Sequence, residues 1–383
     1  MILGIDASTA GSGGAKRHLI ELINNFHPSE YGFTEIHIWG ADQLLQQLPV
    51  SEGVCKYTHP LLNNGTLSRI IWQLFYREST FKNRFDVLFS PFGTYTGFVK
   101  PYVSMSRNML VFEKKERKRF GVSLLGFKFR LLFLIQKRSF SKAEGVIFLS
   151  RHAMNIVVHS IGIADVKMQI IHHGISDDFR KAPRQQREIS SYSQAQPFRL
   201  LYVSTVWVYK HPWNVAEAVS NLRKKGYPIV FDFVGNNEQV TAGDRFAAKI
   251  KECDPDGQFI QWYKNIGLKE VAAYYHKADA FVFASTCENM PNILIEAMSA
   301  GLPVVCSFYE PMPEFLQEAG IYMDPTDAVS IELALEKMLK DTSLREKSAR
   351  LSFEQAKAFS WSKCATETFH FLYQTASQQK NNN

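Results

Sequence analysis

The 383 residues, 45% hydrophobic and 21% charged, suit two globular domains and exclude a collagen, a disulfide scaffold, a coiled coil or a disordered chain. No run approaches the ~18–20 apolar residues that span a bilayer, and the opening MILGIDAST has Asp6 where a signal peptide would be apolar, so a cytoplasmic protein is expected. The net charge of +7 lies in the first half alone, with 25 Lys+Arg against 15 Asp+Glu in residues 1–195 and 19 against 22 in residues 196–383.

In chain order, an apolar strand at Ile2–Asp6 leads into the Gly/Ser loop Ala10–Gly14. An amphipathic segment follows, with Leu19, Leu22, Ile23 and Phe26 at helical spacing. Strand, glycine loop and helix is how a nucleotide-binding α/β domain begins. Further buried strands are expected at Glu35–Trp39, Val87–Ser90, Tyr102–Ser106, Gly145–Leu149 and Met168–His172. The basic excess gathers in Lys114–Arg119 and in Lys128, Arg130, Lys137, Arg138 and Lys142, with no acid between Glu116 and Glu144. Nucleic acid, an anionic membrane or a phosphorylated substrate would each suit such a patch. Read as a helix, Phe120–Phe140 spreads Phe127, Phe129 and Leu131–Ile135 over too wide an arc for a one-sided face. It is either a buried helix with charged ends or one that dips into a membrane interface.

Ser176–Pro197 is polar, carries two prolines and reads as a linker. The α/β rhythm then restarts with strands at Arg199–Ser204, Ile229–Gly235, Phe259–Trp262, Ala280–Ala284 and Pro303–Cys306. Helices are expected at Trp213–Lys224, Leu268–Ala278, Pro291–Ala300, Ala328–Lys340 and Leu344–Ala358. Strands alternating with helices imply parallel sheets, and two such runs give two Rossmann-like domains. The expected divisions are residues 1–180, a linker at 181–197, a second domain at 198–360, a helix at 361–377 returning to the first domain, and a disordered tail at 378–383. The five cysteines are odd in number and never in a CxxC pair, which argues against disulfides or a zinc site. No metal and no other cofactor is expected.

The stretch Ala284–Ser307, ASTCENMPNILIEAMSAGLPVVCS, concentrates the chemistry. It runs from a strand through an acidic loop into a helix opened by Pro291 and closed by Gly301. The free N–H groups of that helix start make an anion site. Glu296 could accept hydrogen bonds from a pair of vicinal hydroxyls, as on a ribose, and Glu288 could hold a second polyol. A phosphate between two sets of hydroxyls describes a nucleotide sugar.

This stretch resembles the family 4 glycosyltransferases, retaining enzymes whose signature is two glutamates separated by seven residues. The match here is Glu288, Glu296-Ala-Met, Gly301 and Pro303-Val-Val. Asn265–Ser285, Pro311–Pro325 and Ser150–Phe179 are also family-like, so the resemblance covers nearly the whole chain and is more specific in its second half. It implies the GT-B fold: α/β, with two Rossmann-like domains facing a cleft. It implies an enzyme moving a hexose-type sugar from a GDP- or UDP-linked donor to a lipid-linked or oligosaccharide acceptor, in bacterial surface-polysaccharide synthesis. The donor side would comprise Gly13, Gly14, Thr205, Lys210, Glu288, Asn289, Met290, Pro291 and Glu296. Lys210 matches the lysine that neutralises the donor diphosphate, and Thr205 stands where many relatives have an arginine. Met105-Ser106-Arg107-Asn108 replaces the His-Asp of many relatives. Glu288, Lys210 and Asn108 are thus the catalytic candidates, with Asn108 equally readable as a structural strand-end residue. Arg107 and His18 are acceptor-side candidates, His18 also readable as a satisfied helix histidine. The same resemblance admits a GT-B-like epimerase or phosphorylase, or a non-catalytic relative that only binds. No nucleic-acid module is evident, and a peripheral position on the inner face of the cytoplasmic membrane is expected.

Overall fold

The computed structural model describes residues 1–10, 14–163 and 166–382. They form two compact units, Met1–Gly174 together with Phe359–Asn383, and Ile175–Ala358.

The first unit is built on seven strands, β1 (Ile2–Asp6), β2 (Glu35–Trp39), β3 (Val54–Tyr57), β4 (Val87–Ser90), β5 (Tyr102–Met105), β6 (Gly145–Phe148) and β7 (Lys167–Ile170). They lie in the order β3-β2-β1-β4-β5-β6-β7, every pair parallel. The central strands β4, β5 and β6 are buried at every position, as a parallel sheet covered on both faces requires. The second unit repeats the plan with β8 (Phe198–Val203), β9 (Ile229–Val234), β10 (Ile260–Tyr263), β11 (Ala280–Phe283), β12 (Val304–Ser307) and β13 (Gly320–Met323). Its order is β10-β9-β8-β11-β12-β13, again all parallel. Both sheets therefore reverse direction of growth once, between β1 and β4 and between β8 and β11, which is the Rossmann arrangement.

Two strands carry no sequence expectation, β3 and β13. Both are edge strands of four residues, and half-burial leaves them without the continuous apolar run of the inner strands.

Residues 181–197, expected as a linker, lie along the second unit. Arg184 donates to the Ala278 carbonyl and to Asp279 at 2.8 Å, and the Tyr192 hydroxyl donates to the same carboxylate at 2.9 Å. The other Asp279 oxygen accepts the Arg199 N–H at 2.7 Å. The polar composition of this segment thus satisfies polar groups at the start of β8 and β11.

The last helix, Trp361–Asn382, belongs to the first unit, where Phe369 meets the rings of Phe26 and Tyr31 at 5.1 and 5.0 Å. It continues through 378–382, where a disordered tail is expected. A helix already docked over several turns extends at little cost, one hydrogen bond per added residue.

Candidate active site

In the second unit two loops leave the carboxyl ends of β8 and β11, on either side of the point where the strand order reverses. Ligands of open α/β sheets bind at such points. The loops are tied together, because the Thr286 N–H donates to the Tyr209 carbonyl at 2.9 Å. Across them Lys210 Nζ forms an ion pair with Glu288 Oε1. Lys210 is buried, with its ammonium 5.3 Å from the centre of the Tyr209 ring and 5.2 Å from that of Phe283. Ring faces and a carboxylate offset what the cation loses in water contact.

The backbone of Lys210 is fixed from both sides. Its carbonyl accepts a 2.7 Å hydrogen bond from the buried Tyr202 hydroxyl. The next residue, His211, adopts a left-handed conformation (φ +46°) and caps helix Pro212–Lys224. Burial, then the Glu288 charge, pushes the Tyr202 hydroxyl and the Cys306 thiol well above their ordinary pKa values, so both stay neutral.

Glu296 lies on helix Asn292–Ser299, which begins one residue after Pro291 rather than on it. Its carboxylate is buried and accepts from the Tyr275 hydroxyl at 3.1 Å. Burial and the Glu296 charge raise the Tyr275 pKa, keeping that donor protonated. Asn289 and Met290 are buried between the two glutamates, and Thr205 is exposed at the start of the Lys210 loop. That loop passes close to the turn after β9. Gly235 there has φ +149°, and a Cβ on it would run into the Ser204 carbonyl.

The remaining candidates gather in the first unit, and Gly13 lies outside the described residues. Arg107 donates to the Gly14 carbonyl at 3.1 Å and to His18 Nδ1 at 3.0 Å. It therefore clamps the start of helix Gly14–Asn24. Burial brings the Arg107 pKa down to about 10. Burial, then His173 and Arg107, holds His18 well below its ordinary value, and its ring lies 4.7 Å from that of His173. Asn108 is a cap: its side-chain oxygen accepts from the Leu110 N–H at 3.1 Å and opens the short helix Met109–Val111. Of its two readings, the structural one matches the geometry, because that oxygen already has a backbone partner.

Asp254 accepts three backbone N–H groups, from Gln258, Phe259 and Ile260, at 2.7–2.8 Å, so Asp254-Pro-Asp256 forms a turn. Among the described residues, one group of three metal-ligating side chains converges, Glu35, His37 and Cys55 on β2 and β3, in the other unit from Lys210. Among them, too, no helix is long and apolar enough to cross a membrane. Helix Leu124–Lys142 is buried on one side and exposes apolar residues on another. Phe129, Gln136 and Phe140 are buried, while Leu124, Phe127, Leu131 and Leu134 are exposed.

Sequence reasoning passed over Tyr202, Tyr275 and Thr286, which position the charged groups, and the Asp6–Arg77 pair at the end of β1, both buried and 3.7 Å apart. Tyr209 directly precedes Lys210, but nothing local signals that its carbonyl ties two loops.

Residues 184–355 match the family model described as glycosyl transferases group 1. Over 112 residues, 28% of this chain and 29% of the relative, the sequence is 36% identical to O-antigen chain mannosyltransferase B of Escherichia coli. The chain thus matches less than a third of that relative's length. Among solved structures, sucrose-phosphate synthase from Thermosynechococcus elongatus superimposes with a TM-score of 0.74 at 14% identity, covering 100% of both chains. Anabaena Alr3699/HepE in complex with UDP-glucose gives 0.69 at 14% identity, again covering 100% of both chains. The two parallel sheets, each reversing once, are the GT-B fold, and residues 184–355 are similar to the glycosyl transferases group 1 family.

Proposed function

We propose that the protein is a retaining, metal-independent glycosyltransferase that moves a hexose-type sugar from a GDP- or UDP-linked donor to a lipid-linked glycan. Its place would be at the inner face of the cytoplasmic membrane, in cell-surface polysaccharide synthesis. The observation that carries this reading is the buried Lys210–Glu288 pair where the second sheet reverses. Breaking a sugar–phosphate bond sends an electron pair onto the departing diphosphate. A fixed ammonium held out of bulk water stabilises that developing charge without a metal. Glu288 holds the ammonium in place until the donor arrives. Glu296, oriented by Tyr275, would accept from donor hydroxyls, and the start of helix Asn292–Ser299 offers N–H groups to phosphate. The names of the relatives lend support, an O-antigen mannosyltransferase in one case and a protein complexed with UDP-glucose in the other.

The test is product analysis by mass spectrometry from a panel of GDP- and UDP-sugars with lipid-linked acceptors, with the anomeric configuration read by NMR. Transfer with retained configuration, undiminished by EDTA, is expected. Inversion, a strict need for Mg²⁺ or Mn²⁺, or epimerised nucleotide sugar without transfer would each overturn it.

A further inference from the structure

Helix Thr66–Phe75 turns its apolar side outward. Leu67, Ile70, Ile71, Leu74 and Phe75 recur at the spacing of one helical stripe, and all five are exposed, Phe75 to 74% and Leu67 to 73%. A stripe of this kind normally faces a core. Helix Leu124–Lys142 presents a second one, with Phe127 67% and Leu134 61% exposed. The two helices wall one groove of about 770 Å³, within the range of about 300–1,000 Å³ usual for small-molecule sites. Ile70 and Leu74 line it from the first helix, Leu131, Leu132 and Ile135 from the second.

The lining also includes hydroxyls. Ser8 and Thr9 follow β1, and Thr94 and Thr96 follow β4, at the reversal point of the first sheet. Arg69 and Lys128 add two cations to the walls. A separate groove of about 410 Å³ is lined by Lys114, Arg117, Lys118 and Arg130, with Gly126 and Arg130 on the opposite side of helix Leu124–Lys142 from Leu131, Leu132 and Ile135. Apolar walls, hydroxyls at the sheet's reversal point and cations at hand match a molecule with a hydrocarbon chain and an anionic head. A second copy of the chain seated on this groove would set Arg69 and Lys128 against their own counterparts, which like-charge repulsion opposes.

We infer that this groove holds the hydrocarbon chain of a phosphate-headed lipid, the head near Ser8, Thr9 and Thr94, with the two exposed helix stripes resting in the bilayer that supplies it. The inference rests on the acceptor being lipid-linked and adds that the protein reads the chain as well as the glycan.

The test uses the full-length protein and monomeric farnesyl phosphate as the probe, with inorganic phosphate as the head-only control. Saturable binding of farnesyl phosphate is expected, at least ~10-fold weaker in Leu132→Trp, which fills the groove, and in Ile70→Gln, at an exposed position. Changing Leu67, Leu74 and Phe75 together to Gln should lower flotation with phosphatidylglycerol vesicles by a similar factor. Equal binding of inorganic phosphate and farnesyl phosphate, no saturable binding, or variants indistinguishable from wild type would overturn the inference. So would a dimer in sedimentation that the triple substitution dissolves, since a second copy would then cover the stripes. Hydrolysis of nucleotide sugar without acceptor, measured on the same samples, needs no lipid. Its presence beside absent lipid binding separates this failure from failure of the glycosyltransferase reading.

Discussion

Lys210 carries its charge where a cation is costly unless an anion meets it, and Glu288 meets it. If the ammonium acts chiefly on the leaving diphosphate, Lys210→Ala should lower kcat by ~10²-fold or more, as loss of one preorganised donor does elsewhere. Single-turnover kinetics on a variant shown folded by circular dichroism would read it, and an unchanged kcat would remove Lys210 from the chemistry. Tyr275→Phe, which deletes the hydroxyl orienting Glu296, should instead raise KM for the donor and leave kcat nearly untouched. His18 gives a pH signature. Its folded pKa is lowered, so below ~6.5 the unfolded chain binds a proton that the folded one refuses, and stability falls as pH drops through that value. His18→Asn should flatten the dependence of Tm on pH between 7 and 5, and an identical slope would count against it. The sequence singles out Lys210 and Glu288 because both sit in short local patterns, and the structure pairs them. For Asn108 it leaves two readings open, since a strand-end asparagine has the same local sequence whether it caps a helix or touches a ligand, and here it caps one. Tyr275 and Thr286 act across 21 and 77 positions of sequence, beyond any local pattern, and Tyr202 acts on a backbone carbonyl, which leaves no mark in the sequence.

At the scale of elements, eleven of the thirteen strands among the described residues overlap an expected one, and β4, β5, β6, β11 and β12, buried at every position, carry the plainest apolar runs. Of the four edge strands, β7 and β10 overlap an expectation, while β3 and β13, half-wet, leave only weak periodicity to read. The segment Ser176–Pro197 shows the opposite error, because composition cannot distinguish a polar stretch in solvent from one bonded to buried polar partners. Helix Asn292–Ser299 depends on close backbone passage just past its end. Gly301 has φ +65°, and a Cβ there would lie 2.6 Å from Pro183 N and 2.7 Å from Lys181 O. Gly301→Ala, with strain and crowding together, should therefore destabilise by more than ~2 kcal/mol in urea unfolding. Gly226→Ala, at φ +92° but in open space, should cost about 1–2 kcal/mol from backbone strain alone. Equal losses at both sites would refute the crowding argument. The basic segment makes its own prediction. Changing Lys114, Lys115, Lys118 and Arg119 to Gln should weaken flotation with anionic vesicles by about 1 kcal/mol per charge that meets the surface, and added salt should erase the difference.

For the whole molecule, the second unit interrupts the first, and the chain comes back to complete it. Phe369, Phe371 and Leu372 of the last helix are buried in the first unit. Phe369→Ala should cost about 3–5 kcal/mol and act on the first unit's transition, leaving the second unit's in place where differential scanning calorimetry separates them. The chain leaves at Gly174 and returns through Ser360 and Trp361, and these points touch: a Cβ on Gly174 would collide with the backbone of both. The second unit is thus a guest whose two ends meet at one doorway in its host. A guest of that kind can be lifted out and exchanged. If the protein acts as proposed, splicing the segment 175–358 of a relative with another donor between Gly174 and Phe359 should change which nucleotide sugar is used and leave acceptor choice as it was.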